Sequence, residues 1–389
     1  MPSFAAPFLS NSDLSELIDW RHQLHRRPEL SGQETSTAIA VQTALAETNP
    51  DDIITDLGRH GVAAIYNGDE SGPTILLRCE LDALPIEELG DTPYRSEIAG
   101  KAHLCGHDGH MAILAGVARW LGRNRPVRGR AVLLFQPAEE DGAGAEKVIS
   151  DPKFAAIQPD YALALHNYPN VPLGHAVLAS GPMNCASRGL KIQLTGRTAH
   201  ASQPEKGLSP AAAMTDLIPM LTALGNGAST SDPEFALTTV THANLGEAAF
   251  GVAPGNAEIW VTLRTQQNAM MAKLVAQAER HVHDIGQKYG LEITLSYHDI
   301  FSHCINDPDA TQMLADALQA EKIPISAGDL PIRPSEDFGR FGEHSKSAMF
   351  LLGAGMTCAN LHNPDYDFPD ELIPIGTGVF VQTLLAKLY

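Results

Sequence analysis

Residues 131–140 read Ala-Val-Leu-Leu-Phe-Gln-Pro-Ala-Glu-Glu, a run apolar throughout that turns polar at Gln136. A strand with one wet face alternates apolar and polar residues, whereas a strand covered on both faces does not. Ala131–Phe135 therefore predicts a buried strand, as do Val62–Tyr66, Thr74–Arg78 and Tyr161–Leu165. Between the second and third of these, Met111, Leu114, Ala118 and Leu121 fall on one helical face. Doubly buried strands separated by helices predict an α/β fold with a mixed, mostly parallel sheet flanked by helices.

Upstream, Asp13 is expected to cap a first helix, with Glu16 reaching back as in a capping box. Downstream, Ser187–Leu194 alternates like a half-buried strand. Helices fit Pro210–Leu224 and Ala269–Tyr289, and strands fit Ala236–His242, Glu258–Arg264 and Leu291–Tyr297. The order β-α-β-β-α-β is that of a ferredoxin-like unit. It predicts a smaller α+β domain over residues 186–298, inserted into a larger one formed by residues 1–185 and 299–389. The larger domain resumes with a helix at Pro308–Ala320, a strand at Ala348–Leu352 and a helix at Ile375–Leu388.

The 389 residues carry 27 Lys+Arg against 46 Asp+Glu, a formal charge of −19, and 44% are hydrophobic. That hydrophobic share excludes a disordered chain. The acidic balance argues against nucleic acid and an anionic membrane surface as partners. No run approaches the roughly 18 apolar residues of a membrane span. The start, MPSFAAPFLSNSD, has no basic region followed by a long apolar one, so a cytoplasmic protein is expected. Five scattered cysteines do not suggest a disulfide framework.

Four segments place metal-type side chains just after a strand or at a helix start. They are Cys105-Gly106-His107-Asp108-Gly109-His110, Gln136-Pro137-Ala138-Glu139-Glu140, His166-Asn167 and Leu361-His362-Asn363-Pro364. Sites in open α/β sheets form at the carboxyl ends of strands, so all four are expected at one sheet edge. The candidate ligands are Cys105, His107, Glu140, His166 and His362, a donor set suited to zinc or another late first-row divalent ion. Five ligands exceed one tetrahedral site and suit two ions roughly 3.5–4 Å apart. A thiolate can bridge, and Cys105 is the only thiol in the set. Glu139 is left over from the ligand set and is the candidate base. Asp82 is expected behind a ligand histidine, accepting its spare N–H. Asp108 and His110 are further candidates for outer contacts, and Glu336-Asp337-Phe338 for the site wall. Each segment alone has a blander reading: a buried thiol, a satisfied strand-end histidine, a solvated acidic turn.

Taken together, LLRCELDALP, HLCGHDGH, FQPAEE, ALHNYP and SEDF…LHNPDYDF resemble the di-metal amidohydrolases and peptidases that include aminoacylases, hippurate hydrolases and auxin-conjugate hydrolases. The resemblance runs nearly the whole chain, and Cys-Gly-His-Asp marks its amidohydrolase branch. It implies a zinc-peptidase-like catalytic domain holding two divalent ions (Zn, Mn, Co or Ni). Cys105 would bridge the ions, His107 and His166 would complete one site, and Glu140 and His362 the other. It also implies Glu139 as the base and an inserted lid domain that forms a homodimer. In GRTAHASQPEKGLSP, His200 matches a lid histidine that reaches the partner's site and stabilises the oxyanion. In VTLRT, Arg264 matches an arginine near the substrate, with a structural strand arginine as the even alternative. Two positions depart from the pattern: Glu80 stands where relatives have Asp, and Gly251 where they have Asn.

The expected activity is cleavage of the amide of an N-acyl amino acid or similar small conjugate, by a metal-activated water with Glu139 as general base. The alternatives on the same scaffold are a dipeptidase and an N-carbamoyl amino acid hydrolase. A thiol hydrolase using Cys105 and a non-catalytic binding protein are the readings from other classes.

Overall fold

The computed structural model describes residues 8–389, so the first seven residues of the N-terminal segment read above lie outside the described residues. Among the described residues no helix is long and apolar enough to cross a membrane. The chain divides into two compact units. Of the described residues, one comprises those up to 183 with 305–328 and 337–389, and the other residues 184–304 and 329–336.

The first unit is built on an eight-stranded sheet. Its centre is four strands in the spatial order Arg128–Gln136, Glu70–Glu80, Tyr161–Pro169, Lys346–Gly355, each parallel to its neighbour. Gly61–Asn67 and Asp52–Leu57 extend one side antiparallel, while the short strands Ala176–Val177 and Ile325–Ser326 extend the other. Ile75, Leu77 and Cys79, with Ala131, Leu133 and Phe135, point into a core shared with the helices Asn11–Arg26, Thr35–Ala46, His107–Arg123, Pro308–Ala320 and Leu372–Leu388. The alternate residues Leu76, Val132 and Leu134 are equally buried on the opposite face. That double burial is why these strands show no alternation. Because the four central strands are parallel, their carboxyl ends emerge along one edge.

The first helix starts one turn earlier than the sequence suggested. Ser10 is its cap: the Ser10 hydroxyl accepts from the Asp13 N–H at 3.0 Å, and Asp13 reaches back to the Ser10 N–H at 2.9 Å. Asp13 is thus the third helical residue, and Glu16 pairs with Arg119 at 2.7 Å instead of closing a cap. The same helix carries a fully buried Arg21. Its guanidinium bonds Asp108 at 2.9 Å, Asp367 at 3.1 Å and Asp370 at 2.6 Å. His25, one turn on, bridges Asp108 at 2.9 Å and Glu88 at 3.2 Å. Burial opposes its charge, but Asp108 and Glu88 outweigh this and raise His25 to about 9.

Arg21→Met strands these carboxylates and is expected to cost about 3–5 kcal/mol, read by denaturant unfolding of the metal-free protein. His25 holds its proton more tightly folded than unfolded. Its contribution is therefore complete below pH about 6.5 and disappears as pH rises to about 9. The parent's melting temperature should fall through that window, and a His25→Gln variant should fall less steeply.

The second unit contains a four-stranded antiparallel sheet in the spatial order Ala236–Leu245, Asn256–Thr265, Ala186–Thr195, Glu292–Phe301. The helices Ala211–Thr222 and Asn268–Tyr289 cover one face, burying Leu217, Leu221, Leu274 and Val282 against Leu190, Ile192, Ile259 and Val261.

Candidate metal centre

The carboxyl-edge turns of the first unit bring the predicted ligands together. Gly106 separates Cys105 from His107 and adopts φ +88, a left-handed turn that lets both neighbours face one point. A Cβ there would lie 2.4 Å from Asn167 Oδ1. Gly106→Ala is therefore expected to distort the site and lower metal content, measured by elemental analysis of the purified variant. His107 opens the helix His107–Arg123. Glu139 and Glu140 follow the strand Arg128–Gln136 through Ala138, itself left-handed at φ 55. His166 lies in the strand Tyr161–Pro169, and His362, at φ 66, in the loop after Lys346–Gly355.

Two groups of donor atoms share one thiol. Cys105, His107 and His166 form the first and Cys105, Glu140 and His362 the second, with the donor atoms of each within 4.8 Å of one another. Cys105 Sγ is 3.4 Å from His166 Nε2. Glu140 lies 3.8 Å from His107 Nε2 and 3.6 Å from His362 Nε2. Glu139 sits on the same side, 3.9 Å from His107 Nε2, and is buried.

The histidine tautomers are fixed from behind. His107 Nδ1 donates to the backbone carbonyl of Asp82 at 2.9 Å, leaving Nε2 buried with no hydrogen-bond partner. His166 Nδ1 donates to the Asn167 carbonyl at 2.7 Å, turning Nε2 inward. The Asp82 carboxylate is farther from His107 Nδ1, at 3.6 Å. That carboxylate accepts instead from the Glu140 N–H at 2.9 Å and the Ser31 hydroxyl at 2.7 Å, and so holds the acidic turn.

Electrostatically the pocket calls for positive charge. Burial disfavours a charged His107, yet Asp82, Glu80 and Glu140 overcome this and raise it to about 10. Burial, reinforced by Glu140 and Glu139, pushes the Cys105 thiol well above its usual range. A nucleophilic cysteine needs the opposite shift, so the thiol-hydrolase reading loses its support. An orphaned imidazole nitrogen, a suppressed thiolate and clustered carboxylates fit a pair of divalent cations.

Sequence reasoning missed two buried supports. Glu34 accepts from the Ala138 N–H at 2.7 Å and so steadies the left-handed step before Glu139; burial, with Asp82 nearby, raises its carboxyl to about 7. Arg78 contacts Glu80 and also bonds Gln136 at 2.9 Å and Asp337 at 2.6 Å. The buried Asp337 accepts from Gln136 Nε2 and the Ala145 N–H, at 2.8 Å in each case.

In the second unit His200 is exposed and lies on a two-residue strand opposite Val252. Its Nδ1 accepts from the Ser202 N–H at 3.1 Å, so the ring proton resides on Nε2 and faces outward as a donor. Gly251, beside Val252, has open space where a Cβ would go. Arg264 Nη1 donates to the Arg333 carbonyl at 2.6 Å and the Ser335 hydroxyl at 2.7 Å. Among the described residues no carboxylate pairs with it.

A shared thiol, a carboxylate and imidazoles at the carboxyl edge of a mostly parallel sheet define a metal-dependent hydrolase. The chain belongs to peptidase family M20/M25/M40, whose model matches residues 76–386. It is 33% identical to N-acetyl-L-cysteine deacetylase of Bacillus subtilis, over 96% of this chain and 88% of that one. It is 31% identical to hippurate hydrolase of Campylobacter jejuni, over 95% of each chain. A crystal structure of a dinuclear metal-binding peptidase of the family from Bacillus subtilis superposes with a TM-score of 0.80 at 26% identity, covering 97% of this chain and 99% of that one. The chain is a hydrolase of amide bonds that uses two divalent metal ions.

Proposed function

We propose that this protein hydrolyses the amide of small N-acyl amino acids, and that Cys105, His107 and His166 would hold one divalent ion and Cys105, Glu140 and His362 a second. The observation that carries the reading is the pair of donor groups meeting at one thiol, with Glu139 beside them. When bound, such ions lower the pKa of water from 15.7 toward about 7 and polarise a carbonyl. Glu139 takes the proton of the attacking water and returns it to the departing nitrogen. His200, with its proton on Nε2, donates to the oxyanion; a positioned donor of this kind is worth about 2.7–4 kcal/mol. Arg264, a guanidinium with no carboxylate partner among the described residues, receives the substrate carboxylate, with one nitrogen tethered by Arg333 and Ser335.

The relatives named as a deacetylase and a hippurate hydrolase support the N-acyl class. We place the enzyme in the cytoplasm as a homodimer whose lid histidine serves the neighbouring subunit, with zinc or manganese as resident ions. The test is a panel of N-acetyl, N-benzoyl and N-carbamoyl amino acids and dipeptides, assayed with zinc, manganese, cobalt and nickel. Turnover of the N-acyl members at least tenfold above the others is expected, and preference for dipeptides or carbamoyl compounds would replace the reading. Mixed Glu139→Gln and His200→Ala subunits should recover activity that neither parent shows.

A further inference from the structure

We propose that His110 is a positioning residue for His166, acting through the backbone of Asn167. The inference rests on the ligand set proposed above. The ladder between the strands Glu70–Glu80 and Tyr161–Pro169 runs from Ile75–Tyr161 to Arg78–Ala164 and then stops. On its other side Tyr161–Pro169 stays paired with Lys346–Gly355 past Asn167. Backbone groups beyond Ala164 on the open side must find other partners, because an unpaired buried peptide group is costly.

Two imidazoles supply them. The Asn167 N–H donates to His110 Nε2 at 3.1 Å, and the Asn167 carbonyl accepts from His166 Nδ1 at 2.7 Å. One residue's backbone is thus gripped by His110 and in turn sets the ring plane of His166. The His110 ring also packs edge-on against His166, with centroids 4.8 Å apart.

His110 is itself anchored. Since its Nε2 accepts, its Nδ1 carries the proton and donates to Glu80 Oε2 at 2.6 Å. Arg78 holds Glu80 from the far side. Glu80, His107 and His110 lie close enough together to suggest a further cation site. Both nitrogens of His110 are committed to hydrogen bonds, however, so it orients a ligand and is not one. Glu80 thereby links Arg78 to His110.

The test compares His110→Gln with His110→Asn in the full-length protein. The Gln amide reaches the place of Nε2 and can accept from Asn167. The Asn amide reaches only the place of Nδ1 and pairs with Glu80 alone. Both proteins are stripped, checked for parental circular dichroism, and titrated with zinc against a chromophoric chelator. His110→Asn is expected to lose about 10–100-fold in affinity for one of the two zinc equivalents, with the other unchanged and His110→Gln near the parent. Equal affinities for the Asn and Gln variants, or a loss spread over both equivalents, would overturn the proposal. His166→Ala is run alongside and should lose the same equivalent. If it keeps both, the ligand assignment fails, not the relay.

Discussion

Glu139→Gln is expected to lower kcat by about 10²–10⁴-fold, roughly 3–5 kcal/mol of barrier, while both metal ions stay bound. The amide keeps the volume and polarity of the carboxylate but cannot take a proton. His107, Glu140 and the other donors lie on neighbouring groups and are untouched, so elemental analysis should still return two ions per chain. KM should change little, since the lost interaction belongs to proton transfer. Near-normal turnover with full metal content would remove Glu139 from the chemistry. A drop in metal content would instead make it a ligand, an outcome that its 3.9 Å approach to His107 Nε2 makes worth measuring directly.

Cys105→Ala is expected to weaken both ions together. Cys105 belongs to both donor groups, whereas His166 belongs to one and His362 to the other. Loss of the shared donor should therefore exceed the about 10–100-fold typical of removing an outer hydrogen-bond partner, and should appear in both equivalents of a zinc titration. His362→Ala should affect one. In the parent, a chelator should abolish activity and a divalent ion should restore it. Activity that survives chelation but not Cys105→Ala would point back to a thiol nucleophile, against the raised pKa of that thiol.

The parts of the molecule that could be read in advance share a physical cause. Strands such as Ala131–Phe135 and Tyr161–Leu165 were legible because helices on one face and packing on the other leave no polar position in them. The candidate donors stood out because polar residues directly after such strands break a strong pattern. The helix Thr35–Ala46 was not, because it buries Thr37 and Ala38 beside Val41 and Leu45, and small residues dilute the periodic signal. The strand Asp52–Leu57 sits at the sheet edge and is half exposed, so it lacked the apolar run. Arg21 and Glu34 were invisible for another reason. A buried charge looks like a surface charge in sequence until its partner is known, and theirs lie far along the chain, at Asp108, Asp367 and Asp370 and at Ala138. Behind His107 the hydrogen bond runs to the backbone carbonyl of Asp82 and not to the side chain the sequence suggested, a detail no side-chain pattern encodes.

The proton that His107 keeps up to about pH 10 has a thermodynamic corollary for loading the enzyme. A cation held by Cys105, His107 and His166 would have to expel it, together with the hydrogen of the suppressed Cys105 thiol, before coordination is complete. Apparent affinity at the shared position should climb by about tenfold per pH unit for each hydrogen released, up to roughly a hundredfold when both leave. Mildly acidic buffers would then favour release of the metal, and alkaline ones its uptake.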